Sequence, residues 1–134
     1  MITQTSLRYQ VQDGEAYYEV GMDPDIEPNA FYAQKYYYPR PGWKFRYGIT
    51  VSISLYRKRA RGVLKIWSES WNAWGFGMDG IHIVSQKFID LSLAYKLRED
   101  LVNIENEQDE IERLVLALEL AKKILNLMIE EEKI

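Results

Sequence analysis

The chain has 134 residues, 47% of them apolar and 28% charged, with a net charge of −3, a globular composition with no segment of the low hydrophobicity that marks a disordered tail. It has no cysteine and one histidine, His82, which excludes disulfides, thiolate metal sites and an all-histidine zinc site within one chain. No apolar run reaches the roughly 18 residues of a membrane span, and the N-terminal MITQTSLRYQ lacks the apolar core of a signal peptide, so a cytoplasmic protein without a membrane segment is expected.

The length suits one domain over 1–134, with a sheet region at 1–84 and a helical region at 85–134. Leu7, Tyr9 and Val11 alternate with polar residues, as do Ala16, Tyr18 and Val20 after Asp13-Gly14. Two alternating runs across Asp-Gly predict a β-hairpin with a type I′ turn, which needs φ > 0 at both central residues. Residues 21–29 hold two prolines and three acids and read as a loop. Residues 31–38, rich in aromatics before Pro39, read as a strand rather than helical turns.

The cleanest signal runs over 43–56. Trp43, Phe45, Tyr47, Ile49, Val51, Ile53 and Leu55 take alternate places, with Lys44, Arg46, Thr50, Ser52 and Ser54 between them. This predicts a long strand with the first set buried and Lys44 and Arg46 on the other face. A basic turn follows at 57–62, then a strand at 63–71, a glycine-rich loop at 72–80 and a short strand at 81–84. From about Gln86 the apolar period becomes helical. A break near 103–106 is expected, with Asn106 as N-cap of a second helix. The fold class is therefore α+β: an antiparallel sheet of about five to six strands covered by one or two C-terminal helices.

Projected at 100° per residue, the second helix spreads its apolar residues over roughly 220°, about twice what packing on one surface requires. Either it is sandwiched between the sheet and the first helix, or it forms a homodimer seam through 107–131; the homodimer is the expectation carried forward.

Charge is segregated along the chain. Residues 1–29 carry a net −5, residues 30–67 carry +9 with no acid at all, and residues 68–134 carry −7. Ten aromatic residues are interleaved with the bases of the middle block. Such blocks either neutralise one another within the fold or leave a positive patch for an anion. A positive groove with aromatic planes is what single-stranded nucleic acid requires, phosphates on cations and bases on rings. The candidate ligand-binding residues are Lys44, Arg46, Arg57, Lys58, Arg59, Arg61, Lys65, Trp67, Trp71 and Trp74. The bland counterpart is a solvated polar face of a half-exposed sheet, with the tryptophans as core.

Three further patterns carry less. Gly75, Gly77 and Gly80 fit G-x-G-x-x-G, but the dinucleotide-binding version opens a helix whereas 81–84 read as a strand, so no cofactor is expected. His82 alternates with Ile81 and Ile83 and has Asp79 nearby, which keeps a hydrolase as the third reading. The acids at 13–27 lack the EF-hand pattern, so no metal is expected. The leading expectation is a non-enzymatic binder of single-stranded nucleic acid or a nucleotide. The alternative is an interaction module or inhibitor whose acidic N- and C-terminal surfaces occupy a protein target, in keeping with a small accessory or virus-encoded protein.

Overall fold

The computed structural model describes residues 7–22, 29–39, 44–72 and 75–129, and the backbone alone at 71, 72 and 75–79. Six strands, β1 (Leu7–Asp13), β2 (Ala16–Met22), β3 (Ala30–Tyr37), β4 (Phe45–Leu55), β5 (Ala60–Asn72) and β6 (Gly75–Ile89), precede two helices, α1 (Leu91–Asn106) and α2 (Glu110–Ile129). The strands form one antiparallel sheet in the order of the sequence. The expected α+β arrangement is present, with six strands and two C-terminal helices.

The first hairpin forms between the two alternating runs, but its turn differs from the expected one. Asp13 pairs with Ala16, so the loop residues are Gly14 and Glu15. Among the described residues only Gly14 has positive φ, at 66°. Glycine at the first central position, followed by an ordinary residue, is the pattern of a type II′ turn. The basic turn is shorter than 57–62: Tyr56 N–H donates to the Arg59 carbonyl at 2.8 Å, which leaves Arg57 and Lys58 at the tip, and β5 begins at Ala60.

The largest correction concerns 72–80, expected as a loop. Residues 75–80 are the first part of β6, paired with 68–72 of β5. Local glycine content favours a turn, but pairing with a neighbouring strand satisfies the backbone groups and overrides that preference. The strand then runs on to Ile89, so the sheet region passes the expected boundary at 84, and α1 starts five residues later than Gln86. Asp90 caps α1, accepting from Leu93 N–H at 3.0 Å. The helical break falls at 107–109, and its N-cap is Asp109 rather than Asn106, accepting from Ile111 N–H at 2.9 Å.

Both helices lie on one face of the sheet. Val20, Phe31, Ala33, Val51, Ile53, Leu55 and Leu64 from the strands pack in one cluster with Leu97, Leu101, Ile104, Leu120, Ile124 and Leu125 from the helices. The seven alternate residues of the long strand do not share one fate. Val51, Ile53 and Leu55 are buried, but Phe45 and Ile49 are half-buried and Tyr47 is 45% exposed. Trp43 lies outside the described residues. The helical layer leaves that end of the sheet open, as the exposure of Ile66, opposite Ile49, also shows. There Tyr47 stacks on Tyr37 with ring centroids 5.6 Å apart.

Candidate functional site

Among the described residues the other face of the sheet carries no helix, and the register fixes what it presents. Tyr17 and Glu19 from β2, Tyr32, Gln34 and Tyr36 from β3, Arg46, Gly48 and Thr50 from β4, Arg61, Lys65, Trp67 and Glu69 from β5, and Ile81, Ile83 and Phe88 from β6 share it. On β6 the face changes from odd to even residue numbers because a bulge interrupts the register between Leu64 and Lys65 of β5, setting Ile83 against Lys65 and Gln86 against Val63.

Gly48 is the centre of the arrangement. Its cross-strand partners are Tyr36 on β3 and Trp67 on β5, and their rings meet across it at 6.2 Å. A Cβ at Gly48 would stand 2.5 Å from the Lys35 carbonyl oxygen and 2.7 Å from Tyr36 Cβ. Only a residue without a side chain permits this approach. The Arg46 guanidinium lies over both rings, 4.8 Å from the Tyr36 centroid and 5.5 Å from that of Trp67, and its Nε–H donates to Glu69. Burial alone would lower the Arg46 pKa; the hydrogen bond and charge of Glu69 outweigh it and hold the guanidinium above its ordinary value.

A chain of hydrogen bonds crosses four strands beside these rings. Trp67 Nε1–H donates to Thr50 Oγ1 at 2.7 Å, the Thr50 hydroxyl donates to Gln34 Oε1 at 3.1 Å, and the Gln34 amide donates to Glu19 at 3.0 Å. The Tyr32 hydroxyl donates to the same Glu19 oxygen at 2.6 Å. Further along, Gln10 donates to the Tyr36 hydroxyl, and Tyr17 stacks on Tyr36 at 5.5 Å. The open face is thus not a plain solvated one: its middle is a second, aromatic and polar core. Among the described residues no buried side-chain nitrogen or oxygen lacks a partner.

The candidate binding residues divide accordingly. Trp67 is 7% exposed, with its N–H engaged, and belongs to this second core; Arg46 is neutralised there by Glu69, itself 3% exposed. Arg57, Lys58 and Arg59 are exposed at the β4–β5 turn, Arg61 is exposed on the open face, and Lys65 is half-buried on it. Arg59 lies over the Phe88 ring at 5.3 Å. Lys44 is exposed just before β4. Trp71 is placed only by its backbone, opposite Phe76, and Trp74 lies outside the described residues. Phe88, 66% exposed, is an aromatic residue of the open face that the alternation pattern does not reveal; its position after the expected end of the strands conceals it.

Arg46, Thr50, Gln34, Lys65, Trp67, Glu69 and Ile81 enclose a half-open pocket of about 180 Å³. His82 is exposed and faces the helix side, opposite Ile66, away from this pocket. Among the described residues no three or more histidines, aspartates or glutamates gather closely enough to hold a metal ion, and no helix is long and apolar enough to cross a membrane. Comparison with protein-family models, curated proteins and solved structures gives no match.

Proposed function

We propose that this protein binds single-stranded nucleic acid, without catalytic turnover, along the open face of β5 and β6 and the β4–β5 turn. One observation carries the reading: among the described residues, Arg57, Lys58, Arg59, Arg61 and Lys65 make no ion pair, and the one carboxylate beside them on β5, Glu69, is buried under Arg46. Among the described residues, then, these five bases are not consumed by acids. A cation row of this kind attracts polyanions by releasing their counterions. Phe88, and Ile81 and Ile83 further along the same face of β6, offer flat or apolar surface for unstacked bases.

The test is fluorescence anisotropy with a labelled single strand at two salt concentrations. Changing Arg57, Lys58, Arg59 and Arg61 to Gln together should weaken binding and flatten the salt slope by about 0.7 for each phosphate that is no longer neutralised, with the melting temperature nearly unchanged because the turn is exposed. Unchanged binding in that variant removes the proposal.

A second reading, a protein-interaction module, draws on β6 itself. It is an edge strand with Ile81, Ile83, Val84 and Phe88 exposed, and unpaired edges with apolar flanks are where other chains add on. Loss of a complex on Phe88→Ser, with single-strand binding absent in the unsubstituted protein, would put this reading first.

A further inference from the structure

We propose that the open-face pocket takes one nucleotide unit of the bound strand, a base within it and a phosphodiester at Lys65, and that it does so without choosing among bases. This rests on the single-strand reading above, whose failure the experiment below separates from its own. At about 180 Å³ the pocket is below the roughly 300–1,000 Å³ of sites that enclose a whole small-molecule ligand, so it suits a fragment of a longer one. Its charge matches: Arg46 and Lys65 against Glu69 leave one net positive charge among the described lining residues, and a phosphodiester brings one negative charge. The two cations differ in availability. Arg46 is held by Glu69, whereas Lys65 makes no ion pair among the described residues and stands at the wall with its ammonium uncommitted.

The commitment of the pocket's hydroxyl, amide and indole groups to one another predicts low base selectivity. Base readout requires donors and acceptors free to meet a base edge. Here the Thr50 hydroxyl accepts from Trp67 and donates to Gln34, the Gln34 amide bridges Thr50 and Glu19, and the Trp67 N–H is engaged by Thr50. With Lys65 and the Arg46 guanidinium serving the phosphate, what remains for a base is shape, the apolar side of Ile81 and the electrostatics of a cation-covered floor. Stacking and charge act on every base alike.

The experiment uses the full chain and an oligothymidylate of about eight nucleotides, within the roughly 4–16 that single-strand sites span. Binding is measured for the unsubstituted protein, for Lys65→Gln, for Ile81→Asp, which puts a carboxylate at the exposed rim, and for Arg57→Gln with Lys58→Gln. The Trp67 indole N–H resonance, assigned by its absence in Trp67→Phe, is followed by NMR through the titration. Expected are a loss of about tenfold in both pocket variants, a displaced Trp67 resonance at saturation, and affinities for oligothymidylate, oligocytidylate and oligoadenylate within about threefold of one another. Strand binding that responds to the turn variant but not to the two pocket variants, with the indole resonance unmoved, overturns the pocket and leaves the single-strand reading standing. A preference of about a hundredfold for one base overturns the non-selective account, since it would mean that Lys65 or Arg46 reads a base edge instead of serving the phosphate. No strand binding by the unsubstituted protein overturns both.

Discussion

Glu69 is a carboxylate almost without access to water, and a single guanidinium lies against it. Glu69→Ala would leave the half-buried Arg46 charge with two rings for company and no counterion, a loss of about 3 kcal/mol, the lower end for breaking a buried pair because the Arg46 side chain is still 23% exposed. Replacing both partners together, Arg46→Met with Glu69→Leu, should cost less than either single change, as measured by urea unfolding of the four proteins. Tyr36 gives a pH test of the same region. Its pKa is pushed up to about 12, first by burial and then by Glu19, so the folded protein keeps a proton that the unfolded chain gives up near 10. The stability tied to that proton is complete below about pH 10 and is lost as the pH rises towards about 12. The unfolding midpoint should fall through that window, and Tyr36→Phe, with no proton to lose, should make the fall shallower. Gly48→Ala should cost about 1–3 kcal/mol, because backbone stands where the new methyl would go.

Elements differ in how far their own residues announce them. The hairpin of β1 and β2 and the inner half of β4 were legible because alternation there coincides with a helical layer that buries one side: Val51, Ile53 and Leu55 are core, and Thr50 and Ser52 are not. β6 was hidden, since Gly75, Gly77 and Gly80 favour turns and only the partner strand, which lies elsewhere in the sequence, decides otherwise. The second core was hidden for a related reason. Alternation within β4 assigns Arg46 and Thr50 to the polar side, but not the neighbours that meet them; Tyr36, Gly48 and Trp67 come together only through two strand registers. Helix caps are the opposite case, short-range and chemical. Asp109 accepts at the start of α2, and Asp109→Ala should lower stability by about 1 kcal/mol in chemical unfolding, while Asn106→Ala, at a position that does not cap, should change it little.

At the scale of the molecule, charge follows the layers. The turn and open face are basic, whereas residues 90–129, the helices behind them with their caps, carry nine acids against five bases. For the proposed ligand this polarity orients encounter, so the association rate should fall more steeply with salt than the dissociation rate rises, as stopped-flow mixing at several ionic strengths would read. The proposed homodimer has less of α2 to use than the sequence pattern suggests. Leu120 and Leu125 are in the intrachain core, and the exposed apolar residues are Ile111, at 76%, with Leu114 and Val115. Ile111→Glu with Leu114→Glu should therefore reduce a two-chain mass to one chain in sedimentation equilibrium with little change in unfolding, whereas Leu125→Glu should unfold the protein. A one-chain mass for the unsubstituted protein ends the homodimer proposal.

The two helices that cover the sheet follow its strands in the sequence. During synthesis, at about 5–20 residues per second, the stretch from Leu91 to Ile129 takes roughly 2–8 s to appear after β6 is complete. Through that interval Val20, Phe31, Val51 and Ile53 lack the helices they pack against. A nascent sheet of this design is adhesive for seconds until its helices follow, and the yield in a cell should depend on chaperones that shield a sheet, not on those that act once both helices are made.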